Sequence, residues 1–435
     1  MNPALRLGYR AAGQLARGLA AVAPRGDSKV ARALAARRGI RDRFAAWGRT
    51  GRDASRPLLW VHAPSVGEGL QARPVLEEFR RARPEVQLAY THFSPSAASF
   101  AAGLDVDFRD YLPFDTVGDA RAVLDALRPT ALVFSKLDVW PLLVEAAAGR
   151  GVALGLISAT LAGSSSRRAP VPSALLGGAY ARLDAVGAID PEDAARLVAL
   201  GVRAGAVSIT GDTRYDQVWA RAQRADRDSP ILAPLRSTRP TLVAGSTWPA
   251  DEGPLLDAWA ALRARLPEAR LVVAPHEPTA DHLAPIERWA SRAGMRLARL
   301  GVEGAANADV VLVDRVGVLG DLYALADAAY VGGGFHAAGL HSVLEPAAFG
   351  APVLFGPRHQ ASRDARLLLQ AGGGATGATS AELLERLSAW LSDVGARRAT
   401  GARARRVVEE GLGAARRSYA LADGLLARSR AAATC

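Results

Sequence analysis

Several residue types that mark particular protein classes are scarce in this 435-residue sequence. There is one cysteine, Cys435, so no disulfide can form within the chain, and the composition fits a reducing compartment. Lysine occurs twice, at Lys29 and Lys136, and arginine supplies nearly all of the positive charge. A disulfide-stabilised scaffold is therefore excluded, and apolar and charged shares of 49% and 22% indicate an ordinary globular protein.

Long hydrophobic runs and several common site motifs are also absent. No stretch approaches the ~20 apolar residues that a membrane-spanning helix needs. Arg6, Arg10 and Arg17 interrupt any signal-peptide core. Neither a G-x-x-x-x-G-K-[ST] phosphate loop nor a clean dinucleotide fingerprint after the first predicted strand occurs, and the seven histidines lack zinc-site spacing. We therefore expect neither a bound metal nor an organic cofactor.

Positive charge is concentrated at the N-terminus. The net charge is +11, and residues 1–50 hold eleven Arg and Lys against two Asp. A helical pattern there separates two faces, with Leu5, Tyr9, Ala12, Ala16 and Leu19 on one and Arg6, Arg10, Gly13 and Arg17 on the other. Such a segment either lies in the headgroup region of an anionic bilayer or packs on the body as a surface helix. We expect no nucleic-acid partner, because no nucleic-acid-binding module accompanies the charge.

Two runs of alternating strands and helices follow this segment, which predicts parallel sheets covered on both faces. The expected fold class is α/β, with two Rossmann-like, doubly wound domains facing a central cleft. The predicted divisions are a basic amphipathic segment at 1–50, a first α/β domain at 51–220, a linker at 221–240, a second α/β domain at 241–390 and C-terminal helices at 391–435. Ligands of such sheets bind beyond the carboxyl ends of the strands, so residues that follow strands are the candidates.

The first strand is followed by a carboxylate. Glu68 lies in the turn between the strand that ends near Ala63 and a helix predicted over 70–81. A helix N-terminus favours the ionised form of a carboxylate, which can accept a proton as a general base. The alternative is a capping glutamate without a catalytic role, and the local pattern alone favours that alternative.

The densest group of candidates follows a strand of the second domain. Gly332–Gly334 allow the backbone to approach a ligand closely. The helix predicted to begin near Ser342 can hold a phosphate, and Glu345 can accept hydrogen bonds from ribose hydroxyls. Tight turns in α/β proteins are often glycine-rich for structural reasons alone, but the run as a whole favours a nucleotide.

Other strand ends carry groups that suit an anion. Ser246 and Thr247 precede a helix at the start of the second domain, and Arg214 near the end of the first domain can reach a phosphate. Taken singly, each is better explained as a helix cap or a surface arginine, but several such groups at one predicted cleft favour an anionic ligand. His276 and Glu277 follow another strand and either line the cleft or cap the next helix.

Six motifs carry a resemblance to a known family. The most specific runs from Gly339-Leu-His-Ser-Val-Leu-Glu-Pro to Pro357, and the others are Trp60–Glu68, Trp140-Pro141, Gly211–Asp216, Gly245–Thr247 and Leu322–Asp327. From about Trp47 to the C-terminus, the chain resembles the 3-deoxy-D-manno-octulosonic acid (Kdo) transferases of lipopolysaccharide assembly. These enzymes have the two-domain GT-B fold.

The resemblance implies a reaction and a set of site residues. Kdo would pass from CMP-Kdo to a hydroxyl of a lipid A precursor in one inverting displacement, without a metal ion, and Glu68 would deprotonate the hydroxyl. Donor contacts are expected from Arg214, Ser246, Thr247, His276, Gly333, Gly334, Gly339, Ser342 and Glu345. Acceptor contacts are expected from Ser65, Gly67, Lys136 and Asp138.

The resemblance also implies a location. The family's N-terminal segment attaches it to the inner membrane, which matches the basic segment 1–50. We therefore expect contact between this segment and an anionic membrane surface, at the cytoplasmic face of the bacterial inner membrane, with peripheral or N-terminally anchored attachment.

The sequence departs from the family pattern at several positions. Ser135–Pro141 replaces Glu-Thr-Glu-Leu-Trp-Pro, Ser158–Ala162 replaces Asn-Ala-Arg-Leu-Ser, Pro275–Pro278 replaces Pro-Arg-His-Pro, and Asp212 stands where the family has Asn. These departures leave two alternatives open. One is a GT-B transferase with a different donor, such as a UDP-sugar, and another acceptor. The other is a non-catalytic nucleotide-sugar-binding protein of the same fold.

Overall fold

A computed structural model describes residues 3–22 and 28–433 of the chain. The other positions, which include Cys435 and part of the predicted segment 1–50, lie outside the described residues. The chain forms two compact units, the first from residues 1–217 together with 412–435 and the second from residues 218–411.

Each unit is built around one parallel sheet of seven strands. The first sheet contains β1 (Leu58–His62), β2 (Gln87–His92), β3 (Phe108–Tyr111), β4 (Ala131–Ser135), β5 (Ala153–Ala159), β6 (Ala185–Ala188) and β7 (Val207–Ile209). The second contains β8 (Thr241–Thr247), β9 (Arg270–Pro275), β10 (Leu297–Arg299), β11 (Val310–Leu312), β12 (Ala328–Val331), β13 (Val353–Phe355) and β14 (Gly374–Thr376).

Helices surround both sheets. Those up to the boundary between the units are α1 (Pro3–Val22), α2 (Lys29–Ala35), α3 (Ile40–Thr50), α4 (Val66–Ala82), α5 (Ala98–Ala102), α6 (Val117–Leu127), α7 (Pro141–Ala148), α8 (Pro170–Tyr180), α9 (Pro191–Ala199) and α10 (Arg214–Arg224). The later ones are α11 (Pro249–Arg265), α12 (Ala280–Arg292), α13 (Leu319–Leu322), α14 (Leu344–Ala348), α15 (Arg363–Gln370), α16 (Ser380–Ser392), α17 (Val394–Glu410) and α18 (Ala414–Ala433).

The strand order reverses at one point in each sheet. The first order is β3-β2-β1-β4-β5-β6-β7, so the chain leaves β1 in one direction and returns to its other side at β4. The second is β10-β11-β9-β8-β12-β13-β14, which places the corresponding reversal between β8 and β12. In open parallel sheets, ligands bind at such a switch point, beyond the carboxyl ends of the two strands. The predicted pair of doubly wound α/β sheets is therefore confirmed.

Alternate residues of the central strands fill two layers of core. In β1, Trp60 packs on one face of the first sheet with Phe44 of α3, and Val61 packs on the other with α4 and α18. Because both faces are covered, these strands are apolar up to their last residue, which is His62 in β1 and Ser135 in β4. This continuous apolar pattern is what made the central strands recognisable in the sequence.

Helix α1 packs on the first unit by a side that mixes polar and apolar residues. Tyr9 donates a hydrogen bond of 2.8 Å to the Asp115 carboxylate, and the Arg17 guanidinium lies 3.6 Å from Asp119. At Gly13 a side chain would press on the backbone oxygen of Asp115. The predicted grouping of Tyr9 with Leu19 on one face is therefore wrong, because Tyr9 faces the body while half of the Leu19 surface is exposed.

The units divide the chain differently from the predicted boundaries. Helix α10 crosses the division at residues 217–218, so the predicted linker 221–240 begins within a helix. Of the predicted C-terminal helices, α17 belongs to the second unit and α18 to the first. The reason is apolar burial, since Ala422, Leu425 and Leu426 of α18 fill the core on one face of the first sheet.

Among residues 3–22 and 28–433, no helix has both the length and the hydrophobicity that crossing a membrane requires.

Candidate active site

Glu68 lies at the switch point of the first sheet. It follows β1 in the first turn of α4, and Lys136 directly follows β4. The Lys136 ammonium donates to Glu68 Oε1 at 3.3 Å, the Ser65 hydroxyl donates to Glu68 Oε2, and the Ser135 hydroxyl donates to the Glu68 backbone oxygen at 3.0 Å. The structure thus brings together the predicted base and two of the four predicted acceptor contacts. Gly67 is exposed beside them.

The surroundings of Glu68 keep its carboxylate ionised. Burial by itself would raise its pKa, but the hydrogen bond from Ser65 and the positive charge of Lys136 outweigh burial, so the pKa is lowered from its ordinary value. Its side chain is 17% exposed, so a ligand can reach it. The carboxylate is therefore ready to accept a proton at neutral pH.

Asp138, the fourth predicted acceptor residue, belongs to a neighbouring polar group. One of its oxygens accepts a hydrogen bond of 3.3 Å from Arg167, and the other lies 3.7 Å from Nε2 of the buried His62. The same nitrogen accepts a hydrogen bond of 3.3 Å from the Trp140 indole. Sequence reasoning missed Arg167 because it lies on a short 3-10 turn well beyond the end of β5, and not directly after a strand.

Strained backbone marks the same sheet ends. Among the described residues, four non-glycine positions have positive φ, and three of them, Lys136, Ser158 and Ser246, lie at the carboxyl ends of β4, β5 and β8. A side chain in this region clashes with its own backbone, and such strain clusters at functional sites. In the first unit, the Ser158 hydroxyl lies 2.8 Å from that of Thr213, which donates to the Gln71 backbone oxygen of α4 at 2.7 Å.

In the second unit, Asp251 organises the glycine-rich loop at the switch point. Its fully buried carboxylate accepts hydrogen bonds from the backbone N–H groups of Gly333 and Phe335, at 2.8 and 3.0 Å. It also accepts from the backbone of Trp248 and from the Tyr330 hydroxyl. Asp251 therefore fixes the loop after β12 against the first turn of α11. Nothing in the local sequence distinguished it from an ordinary first-turn acid.

The glycines of this loop differ in how closely other backbone segments approach them. A side chain at Gly333 would come within 2.1 Å of the Gly339 backbone oxygen, and one at Gly334 within 2.4 Å of the Gly356 backbone nitrogen. Both are buried and let backbone segments approach each other, and their expected ligand contact stays a prediction. Gly339 has a φ of 90° and open space around it, and its expected ligand contact is likewise a prediction.

The other predicted donor residues of this unit differ in accessibility. Ser246 is partly exposed and Ser342 is exposed. Thr247 is buried and its hydroxyl donates to Glu252 at 2.9 Å within the unit, so it is less accessible than Ser246 and Ser342. The short helix α14 begins two residues after Ser342.

Glu345 in the first turn of α14 is only partly exposed. Burial raises the pKa of its carboxyl, while the charge of Arg221 opposes the rise. Glu345 therefore reaches solvent through a small part of its surface, which restricts how a ribose can contact it.

Arg214 belongs to the first unit, whereas the other predicted donor residues belong to the second. Its guanidinium donates twice to Asp212 Oδ2, at 2.8 and 2.7 Å, and its backbone N–H donates to the other oxygen. Asp212 stands where the family has Asn, and its carboxylate thus compensates the positive charge of Arg214. This arrangement weakens the case for Arg214 as a phosphate ligand.

Four aromatic rings meet at the carboxyl edge of the second sheet. Trp248 follows β8, His276 follows β9, and His336 and His341 follow β12. The rings of Trp248 and His336 are stacked nearly parallel with their centroids 4.3 Å apart, and the His276 centroid lies 4.6 Å from that of Trp248 and 4.4 Å from that of His341. Of these rings, His276 alone was a predicted site residue. The flanking of a glycine-rich loop by His336 and His341 was the available signal.

Two Rossmann-like units, each with polar groups at its switch point, define a protein of GT-B fold. Solved structures support the fold. A UDP-GlcNAc 2-epimerase from Neisseria meningitidis aligns with a TM-score of 0.59 at 13% identity, covering 82% of this chain and 99% of that one. A glycosyltransferase from Rickettsia africae aligns with a TM-score of 0.58 at 9% identity, covering 85% and 99%.

Sequence comparison gives the family. Residues 38–217 match the family model described as 3-deoxy-D-manno-octulosonic-acid transferase. The 3-deoxy-D-manno-octulosonic acid transferase of Bordetella pertussis is 32% identical, covering 88% of this chain and 91% of that protein, and that of Haemophilus influenzae is 26% identical, covering 85% and 88%. The chain belongs to the Kdo transferase family and is a glycosyltransferase. The non-catalytic alternative is thereby set aside.

Proposed function

We propose that the protein transfers Kdo from CMP-Kdo to a hydroxyl of a lipid A precursor, with Glu68 as the general base. The observation that carries this proposal is the Ser65–Glu68–Lys136 group at the switch point of the first sheet. Family membership supports the sugar, and the ionised state of Glu68 supports its role as a proton acceptor.

The chemical step is a single displacement. The acceptor hydroxyl gives its proton to Glu68 while its oxygen forms a bond to the anomeric carbon of Kdo. The bond between that carbon and the phosphate oxygen breaks, and CMP leaves with the electron pair. Attack from the side opposite the leaving group inverts the anomeric centre. Ser65 and Lys136 hold the carboxylate in place, and Lys136 also provides positive charge beside the acceptor.

Donor binding is assigned to the second unit. The accessible groups there are the backbone at Gly339, the hydroxyls of Ser246 and Ser342, the exposed His276 and a part of Glu345. Backbone N–H groups and imidazoles can neutralise a phosphate by hydrogen bonding. We propose that these groups, without a metal ion, stabilise the leaving CMP, and activity that persists in a chelator would support this.

Membrane contact is assigned to α1 and its surroundings. Leu7, Leu15 and Leu19 are 70%, 66% and 50% exposed, and they share one side of the helix. A cavity of about 350 Å³ lies beside the end of α1, and its lining includes Arg17, Arg37, Arg38 and Arg41. Exposed leucines beside arginines suit an anionic lipid surface. We propose attachment at the cytoplasmic face of the bacterial inner membrane.

Substitution of Glu68 tests the proposed base. Glu68→Gln keeps the shape of the side chain but removes its ability to take up a proton. We expect transfer from CMP-Kdo to a lipid A precursor to fall about 10²–10⁴-fold, with CMP affinity unchanged. Glu77→Gln, on the same helix, is the matched control. Full activity of the Glu68→Gln variant would overturn the assignment.

A uridine-linked donor is the second candidate. The exposed Glu277 beside His276 gives the donor side of the second unit a negative charge where the family has a histidine. Thermal-shift titration separates the candidates, because a ligand of the native state raises the melting temperature. Selective stabilisation by CMP supports the Kdo donor, and preference for UMP or UDP supports the alternative.

A further inference from the structure

The four-ring group after β8, β9 and β12 has a hydrogen-bond pattern that fixes two of its three imidazoles. The backbone N–H of Ala338 donates to Nδ1 of His336 at 3.1 Å, so the ring proton of His336 lies on Nε2. The indole N–H of Trp248 donates to Nε2 of His341 at 3.1 Å, so the proton of His341 lies on Nδ1. Each of these rings therefore offers one N–H donor.

His276 differs from the other two imidazoles. It is exposed, and among the described residues no hydrogen bond engages either of its ring nitrogens. Protonation of His336 or His341 would break the bond that each accepts, but protonation of His276 breaks none. Burial, and then the neighbouring histidines, lower the pKa of His341 to about 4, which keeps that ring neutral at ordinary pH. In the described part of the chain, His276 is thus the ring of this group with neither nitrogen engaged by another residue.

The charged and polar groups near His276 determine whether an anionic ligand would meet a positive charge there. The carboxylate of Asp251 is already occupied by four hydrogen bonds, from Trp248, Tyr330, Gly333 and Phe335. Glu252 is engaged by Thr247, and Glu277 is exposed beside His276. His282 of α12 lies 2.8 Å from the Glu277 backbone oxygen. None of these groups supplies a permanent positive charge for an arriving anion.

We propose that His276, His336 and His341, arranged around Trp248, form an anion-binding subsite in which His276 takes up a proton when the phosphodiester of the donor nucleotide binds. The inference rests on the proposed assignment of the donor to the second unit. An oxyanion accepts hydrogen bonds from the N–H groups of the three rings. Its negative charge favours the protonated form of His276. By linkage, binding consumes a proton and becomes tighter as the pH falls.

Proton uptake is measured by titration calorimetry with the full chain. The probe is the 5′-methyl phosphodiester of CMP, because its phosphate does not titrate near neutral pH. Enthalpies measured in buffers of different ionisation enthalpy give the number of protons bound per ligand. We expect uptake of a fraction of one proton near pH 7, and binding about tenfold tighter near pH 6 than near pH 8. Cytidine, which lacks the phosphate, should bind without proton uptake.

Variants assign the proton to a residue. His276→Gln keeps a planar polar side chain, and we expect it to bind the probe with no proton uptake and little pH dependence. His282→Gln, a nearby histidine outside the ring group, should behave as the unaltered protein. Retained uptake in His276→Gln, or binding of the probe by the unaltered protein without uptake, would overturn this inference and leave the proposed function intact. If neither the probe nor CMP binds at any pH, the donor assignment itself fails.

Discussion

Lys136 is one of two lysines in the chain, and its ammonium group lies 3.3 Å from the Glu68 carboxylate. A cation this close stabilises the ionised carboxylate, so Glu68 remains deprotonated at lower pH than an isolated glutamate. The same charge weakens Glu68 as a base, because a lower pKa means a smaller driving force for proton transfer. The family pattern has acidic residues in this segment. The effect of a neighbouring lysine on the ionisation and base strength of Glu68 is therefore a property of this chain.

Replacement of Lys136 by Met should therefore change the pH dependence of the reaction. Without the ammonium charge, the pKa of Glu68 rises, and a base must be deprotonated to act. We expect the acidic limb of the kcat/KM profile to move to higher pH, with CMP affinity unaltered. Lys136→Arg keeps the charge and serves as the control. An acidic limb that stays in place in Lys136→Met would show that the ion pair does not govern the base.

Three residues of the candidate site show how much the sequence alone could reveal. The strand–turn–helix context marked Glu68 as a candidate, but that pattern alone favoured a helix cap, and its expected role as base came from the family resemblance. Asp251 was not recognisable, since its four donors come from segments about 80 residues further along the chain or from its own turn. Thr247 was selected as a phosphate contact, and only three-dimensional packing shows its hydroxyl turned towards Glu252.

At the scale of elements, α1 presents leucines where a surface helix usually presents polar residues. Its tyrosine and two of its arginines bind acids of the first unit, including Asp115 and Asp119, which leaves Leu7, Leu15 and Leu19 outside. We expect the triple variant Leu7→Gln, Leu15→Gln, Leu19→Gln to lose most of its binding to vesicles that contain anionic lipid.

The control for this variant removes exposed apolar surface elsewhere. Val198, Val302 and Val394 are 39%, 55% and 46% exposed and lie outside α1. Their joint replacement by Gln should leave vesicle binding unchanged, as measured by co-sedimentation. Equal loss of binding in both triple variants would contradict a specific role for α1.

Strand β11 is anchored by an acid that precedes it. The carboxylate of Asp309 lies 3.1, 3.1 and 3.2 Å from Arg239, Arg263 and Arg296. Burial by itself would raise the pKa of Asp309, but hydrogen bonds from Arg296 and the arginine charges lower it to about 2. Because the folded-state pKa is depressed, the stabilisation is complete above an ordinary aspartate pKa of about 4 and is lost as the pH falls towards 2.

Asp309→Asn should therefore destabilise the second unit near neutral pH. We expect a melting temperature lower by on the order of 5 °C at pH 7. The difference between the variant and the unaltered protein should shrink as the pH is lowered from about 4 to about 2, because the native carboxylate is then being protonated. A constant difference across this range would mean that the arginine contacts contribute through packing rather than charge.

Prediction of elements from the sequence succeeded where strands are buried and failed at the sheet edges. The strand predicted to end near Ala63 coincides with β1, and the helix predicted over 70–81 lies within α4. The strands that were missed are the edge strands β3, β7, β10 and β14 and the inner strand β6. All five are only three or four residues long, and the edge strands carry polar residues such as Arg109 and Ser208, so they lack the long apolar run that identifies a strand.

At the scale of the whole molecule, the first unit is assembled from two separate parts of the chain. Helix α18 covers one face of the first sheet, and Gly155 of β5 leaves space for Leu425, since a side chain there would lie 2.5 Å from it. Tyr419 packs against Phe79 with ring centroids 4.6 Å apart, and Asp423 pairs with Arg83. The helix is therefore part of the core of this unit.

A chain that ends after Gly411 should lose the first unit and keep the second. Removal of α18 exposes the apolar face formed by β4 and β5, whereas β8 and β9 keep their whole surroundings. We expect amide hydrogens of β5 to exchange rapidly in the truncated protein and those of β9 to remain protected, as measured by hydrogen exchange with mass spectrometry. Loss of protection in both sheets would show that the two cores do not fold independently.

The place of α18 in the first unit also has a consequence for biosynthesis. Ribosomes add roughly 5–20 residues per second, and domains ordinarily fold in the order of their synthesis. Here the strands of the first sheet emerge early, but the helix that covers one face of it emerges only after the second unit has been made. For roughly 10–40 s on each ribosome, the nascent protein presents an uncovered apolar sheet to the cytosol. The part of the protein that is translated first is the last to be completed.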